Sequence, residues 1–171
     1  MHNEGCPQGQ PFLFNSKKIH FGGNILRITH NFIHMKVEIE RMNNAVHLQA
    51  KNEEGIAVDM DGSPDIGGLG LGARPMQLVL MALGGCASMD VLSMLQKMRE
   101  EVKSYKVTVE AERATEHPMV FTKINIHFRL EGALKKENVQ RAIDLSTDKY
   151  CSVSHMLNKT AVITHSFEIV N

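Results

Sequence analysis

Residues 73–95 read ARPMQLVLMALGGCASMDVLSML, and the fold turns on this stretch. Proline suits a first helical turn, where its missing N–H costs nothing. The pattern therefore carries a helix from Arg74-Pro75 to about Glu101. Through its first half nearly every position is apolar: Met76, Leu78, Val79, Leu80, Met81, Ala82, Leu83, Cys86, Ala87 and Met89. A helix apolar on all sides is buried on all sides, which predicts the central helix of the fold. Its later part turns amphipathic, with Val91, Leu92, Met94, Leu95 and Met98 facing inward. Gly84-Gly85 interrupts it at roughly 1 kcal/mol per glycine relative to alanine. Close approach of another backbone or of a ligand is the usual compensation.

Upstream, Val37 and Ile39 alternate with charged residues as far as Arg41. Asn43-Asn44 offers a turn, and Val46, Leu48 and Ala50 alternate again, which predicts a hairpin. A third short strand is expected over Ile56–Met60. The segment GGLGLG at 67–72 has no Walker lysine and does not open a helix directly after a strand. A flexible connection is favoured over a nucleotide cradle. Residues 1–34 show no sustained period; Ile19–Phe21 and Ile25–Phe32 are partly apolar pieces that could add a strand. They read as an N-terminal extension before a domain at 35–171.

Downstream, Tyr105, Val107, Val109 and Ala111 alternate, as do Ile124, Ile126, Phe128 and Leu130, with Glu116-His117-Pro118 between them. This is the half-buried pattern of an antiparallel pair. Val139, Ala142 and Ile143 have helical spacing within 135–150. A short helix is expected from Ser152 to Asn158, and Ala161, Ile163, Phe167 and Ile169 mark a closing strand. The fold class is α+β. So apolar a central helix needs more cover than three short strands provide, which predicts a dimer.

With 171 residues the chain suffices for one well-buried core. Nineteen basic residues balance nineteen acidic ones, and scattered charge of zero net sign removes the simplest case for nucleic-acid binding. No stretch approaches the ~18–20 consecutive apolar residues of a membrane span. Neither a secretory signal nor a lipid anchor at Cys6 is suggested. Three cysteines in such a chain point to reduced thiols in the cytoplasm, any disulfide being transient.

Cys86 follows the glycine pair in the most apolar helix, where the plain reading is a small core hydrophobe. Cys151 lies at a break between two helical segments, where unpaired N–H groups and the helix dipole stabilise a thiolate. His155 is four residues on, and reads more readily as a satisfied histidine than as a base. Asp90, one turn after Cys86, disfavours a thiolate there and reads as an ordinary exposed or capping carboxylate. Ser88 has no His/Asp partner in view. His30 and His34 are i, i+4, but no carboxylate or thiol with ligand spacing joins them, so no metal or other cofactor is expected. The methionines from Met76 to Met98 read as core filler.

Residues 73–95, together with STDKYCSVSHML at 146–157 and THSFEIV at 164–170, resemble the OsmC/Ohr family. Pro75, Leu78, Ala82 and Cys86 match its central-helix cysteine motif, and Tyr150-Cys151 matches its second cysteine. The resemblance spans roughly Met35 to Asn171. It implies antiparallel sheets wrapped around a long buried helix in an intertwined homodimer. It also implies reduction of organic or hydrogen peroxides at the expense of a thiol reductant, with Cys86 peroxidatic and Cys151 resolving. Where typical peroxidase members carry glutamate after the helix-starting proline, this chain has Met76. The arginine that assists the thiolate in those members has two candidates here, Arg41 and Arg74. The alternative is a non-enzymatic module that binds a small hydrophobic ligand or senses redox state. Neither nucleic acid nor a membrane is an expected partner. Two inert core cysteines are the third possibility, if they lie too far apart to bond.

Overall fold

The computed structural model describes residues 34–170, together with the backbone of two short strands, β1 (Ile19–Phe21) and β2 (Asn24–Leu26). These two pair antiparallel, Ile19 opposite Leu26. Cys6, His30 and the remainder of the first 33 positions lie outside the described residues. The chain divides into two compact units between Val37 and Glu38.

From that boundary on, β3 (Val37–Arg41), β4 (Leu48–Asn52) and β5 (Ala57–Met60) form a three-stranded sheet in chain order. Asn43 builds the first turn, its side-chain oxygen accepting the Ala45 N–H at 2.8 Å. Asn52 does the same at the second turn, accepting from Ile56 at 2.8 Å. Both are the local bonding that makes asparagine a turn residue.

The loop after β5 is tied down, not the flexible connection expected from its glycines. Asp61 is buried, and its carboxylate accepts the N–H groups of Gly62, Leu69 and Leu71 at 2.8, 2.9 and 3.0 Å. Close approach explains two of the glycines: a Cβ on Gly68 would lie 2.0 Å from the Gly62 carbonyl oxygen, and one on Gly72 2.5 Å from the Asp59 carbonyl carbon. The N–H donors, Leu71 first, hold the Asp61 carboxyl below the usual carboxylate range. A depressed carboxyl contributes stability that is present above the unfolded value, about 4, and is lost as pH falls through the folded one. Asp61→Asn should therefore lower the melting temperature at neutral pH and flatten the loss of stability on acidification. Thermal unfolding of both proteins between about pH 3 and 7 checks this.

Helix α1 (Pro75–Lys97) starts where its proline predicts, with Gln77 Oε1 accepting the Arg74 N–H at 2.9 Å. It ends four residues before Glu101. Arg99 is left-handed at φ 61°, Glu100 N–H bonds Leu95 O at 3.0 Å and Arg99 N–H bonds Gln96 O at 3.0 Å, which is the Schellman termination. At 23 residues, with a mean hydropathy of 1.8 over its most apolar window, α1 could cross a membrane by length and composition. The unbroken-run criterion misses this because Gly, Ser and Gln punctuate the helix. In the structure it is a core helix, with Leu83, Ala87, Val91 and Leu95 buried on one i, i+4 stripe.

That stripe packs on β6 (Ser104–Arg113), β7 (Phe121–Glu131) and α2 (Lys136–Leu145). Strand β7 supplies Ile124, Ile126, Phe128 and Leu130 by strict alternation, and α2 supplies Val139, Ala142 and Ile143. The β6–β7 pair is antiparallel, as expected. The closing strand β8 (Val162–Val170) runs parallel to β7, so this sheet is mixed. The parallel course follows from the connection: α2, a π-helical turn at Ser146–Tyr150 and α3 (Ser152–Leu157) return the chain to the starting end of β7, on the side away from β6.

Burial of α1 on all sides is not reached among the described residues. Met81 is 59% and Met89 74% exposed, because the sheet covers a single face. Gly84 does meet a neighbour, with a Cβ there 3.0 Å from the Val109 side chain, while a Cβ on Gly85 meets nothing within 4 Å. The glycine pair lines an open groove of about 550 Å³ with Leu80, Met81, Val107 and Val109.

Candidate active site

Three elements converge on the two cysteines. Cys86 sits half-buried on α1, one residue before core Ala87. The π-helical turn closes with the Cys151 N–H donating to Ser146 O at 2.8 Å, which swings Cys151 into the cap position of α3. There Cys151 is fully buried, and its sulfur accepts the Ser154 N–H at 3.4 Å. Both thiols are free. Cys86 Sγ, Cys151 Sγ and a carboxylate oxygen of Asp90 all lie within 4.8 Å of one another.

Asp90 and Ser146 are the residues that sequence reasoning undervalued. Asp90 was expected in an ordinary exposed or capping role, yet it shares the Cys86 face of α1 through the i, i+4 relation. The buried Ser146 hydroxyl shares its hydrogen between Ala87 O at 3.3 Å and Asp90 Oδ2 at 3.4 Å. The signal for Asp90 was its spacing from Cys86; nothing in STDKYC marks Ser146 as a partner of α1. Ser154 Oγ, beside the thiol cap, is buried and has no partner among the described residues.

Burial pushes the Cys86 thiol above its ordinary value. Its hydrogen bond with Cys151 and the negative charge of Cys151 and Asp90 push the same way, while the Val153 N–H opposes them. Among the described residues no cation acts on it. Arg41 spends its guanidinium on its own hairpin, donating from Nε to Ala45 O at 2.8 Å and from a terminal nitrogen to Asn44 O. Arg74 is exposed ahead of α1, on the order of 18 Å along the helix from position 86 at about 1.5 Å per residue. The structure thus brings Cys86 and Cys151 together and leaves both arginines of the same chain elsewhere. His155 is exposed and faces solvent, not the thiols.

On the groove side of α1, Ser88 donates to Gly84 O at 2.6 Å. The buried Tyr105 hydroxyl beside it makes no well-formed hydrogen bond, and desolvation pushes its pKa up to about 12.

Residues 67–166, which hold α1, both cysteines and most of β8, match the sequence profile of the family described as OsmC-like protein. The chain belongs to the OsmC-like family. Protein YhfA of Escherichia coli strain K12 is 53% identical over 97 residues, covering 56% of this chain and 72% of that protein. Among solved structures, a hypothetical protein from Aquifex aeolicus VF5 superposes with TM-score 0.68 at 28% identity, over 82% of this chain and 100% of its own. An organic hydroperoxide resistance protein OsmC from Legionella pneumophila superposes with TM-score 0.61 at 13% identity, over 79% of this chain and 96% of its own. The latter likeness is one of fold. It extends the OsmC-like α+β architecture beyond the reach of sequence identity.

Proposed function

We propose that this chain is a thiol-dependent peroxidase that reduces organic or hydrogen peroxides in oxidative-stress defence, through Cys86 and Cys151. The observation that carries this reading is the pair of free sulfurs within 4.8 Å, one half-exposed and one buried. That separation also counts against two inert cysteines too distant to bond. A disulfide requires the sulfurs to close from that separation to ~2.05 Å.

The exposed partner meets the oxidant. Cys86 thiolate attacks the peroxide, the O–O bond breaks, Cys86 becomes a sulfenic acid and the departing alkoxide takes a proton to leave as alcohol. Cys151 thiolate then attacks the Cys86 sulfur, expelling hydroxide that leaves as water, and the disulfide forms. An external dithiol returns two electrons and two protons. Two solved OsmC-fold proteins are organic hydroperoxide resistance proteins, one from Legionella pneumophila and one from Elizabethkingia anophelis, which supports the substrate class.

The working form is a homodimer in the cytoplasm. The uncovered face of α1 and the exposed Val37 and Ile39 of β3 are apolar surfaces suited to a second copy. A second copy also offers a route by which Arg41 or Arg74 reaches the thiol of its neighbour. The raised Cys86 thiol favours a second reading, a redox sensor or hydrophobic-ligand module, since a protonated thiol is a poor nucleophile.

Consumption of an organic hydroperoxide and of hydrogen peroxide by the reduced protein, with dithiol in excess, separates these. Multiple turnovers in the wild type, with a solution mass of two chains, are expected. Background oxidation alone would leave the sensor or binding module.

A further inference from the structure

We propose that the reduced protein holds a divalent metal ion of the zinc type between Cys86, Asp90 and Cys151. The peroxidase reading uses the two sulfurs and gives the carboxylate no part, yet all three donor atoms lie within 4.8 Å of one another. Among the described residues this is the one such convergence of three donors. Donors sharing a tetrahedral zinc stand roughly 3.6–3.8 Å apart, given Zn–S near 2.3 Å and Zn–O near 2.1 Å. Closing the site therefore takes shifts of no more than about 1 Å.

The backbone has already arranged the chelate. Cys86 and Asp90 project from one face of α1 at i, i+4, a spacing by which one helix offers two ligands. Cys151 arrives from the cap of α3. The supporting contacts are those that orient metal ligands: Ser146 Oγ donates to Asp90 Oδ2 at 3.4 Å, and the Ser154 N–H donates to Cys151 Sγ at 3.4 Å. Charge points the same way. Metal binding displaces the thiol protons, and among the described residues the groups acting on Cys86 include no cation to balance the two thiolates and the carboxylate that then meet. A dication supplies that balance. Soft thiolates with one carboxylate suit zinc better than magnesium or calcium. With three protein ligands, and Cys86 half-exposed, the fourth position is left to water.

Metal and disulfide are mutually exclusive because both use the same two sulfurs. Oxidation by a hydroperoxide transfers two electrons from the paired thiolates to the O–O bond. It consumes two protons, yields alcohol and water, and releases the ion.

The test uses reduced, chelator-stripped full-length protein carrying Cys6→Ser, so that only two thiols remain, titrated with Co2+ and then Zn2+ in the absence of peroxide. Expected are one Co2+ per chain, sulfur-to-cobalt charge-transfer absorption with tetrahedral d–d bands, and displacement by Zn2+. Asp90→Asn should keep the fold by circular dichroism and weaken Co2+ binding beyond the roughly 10–100-fold that an outer-shell change costs. Cys86→Ser and Cys151→Ser should abolish the two-thiolate spectrum. Absence of charge-transfer absorption, or affinity unchanged in folded Asp90→Asn, overturns the proposal. Neither result bears on peroxide turnover, which is measured separately with chelator present.

Discussion

Phe128→Ala is expected to cost about 3–5 kcal/mol, the range for removing a buried aromatic side chain. Phe128 is fully buried at the centre of β7, between Val107 on β6 and Phe167 on β8, with its ring 6.4 Å from that of Tyr105. Truncation leaves a cavity between sheet and α1, which a strand flanked on both sides cannot collapse to fill. Since a domain of this kind is stable by about 5–15 kcal/mol, the variant should lie near the folding threshold. Urea unfolding followed by circular dichroism measures the loss. A cost below about 1 kcal/mol would mean that the core is not centred on β7.

Exchange of the two cysteines for serine should give unequal kinetic outcomes. Cys86→Ser is expected to lower peroxide consumption by at least about 100-fold, because it removes the nucleophile that covalent catalysis requires. Cys151→Ser should still complete one turnover and stop at a sulfenic acid on Cys86, trapped by a dimedone-type reagent, with steady-state turnover lost. In chelator-treated wild type, the raised Cys86 thiol carries a sign. The thiolate fraction climbs with pH, so alkylation and peroxide reaction should keep accelerating past pH ~8.5, where an ordinary cysteine is half ionised. Stopped-flow rates across that range check it; a plateau well below it would mean that a cation has been delivered to the thiol, as a second copy of the chain could do.

What was legible beforehand follows from how local each signal is. The run from Pro75, the alternation in β6 and β7 and the spacing of Val139, Ala142 and Ile143 are periodic patterns set by backbone geometry. The structure reproduces those elements. The position of Cys151 at a helix start was equally local. The parallel course of β8 was not, since alternation is the same in either direction. The Asp61 clasp was hidden because its donors lie up to ten residues away, in a loop whose glycines suggested looseness. Asp90 stood in plain view at i+4 from Cys86, but only the tertiary arrival of Cys151 and Ser146 gives the carboxylate a role. For α1, composition showed that so apolar a helix needs more cover than three short strands provide, but not which of its faces the described residues leave open.

The central claim is that Cys86 and Cys151 act as one redox pair. Treating reduced Cys6→Ser protein with one equivalent of an organic hydroperoxide, then mapping peptides by mass spectrometry without reduction, tests it most directly. Loss of two hydrogens per chain is expected, with a single linked species joining the peptides of Cys86 and Cys151. Sulfinic or sulfonic acid on separate cysteines, with no such link, would contradict it.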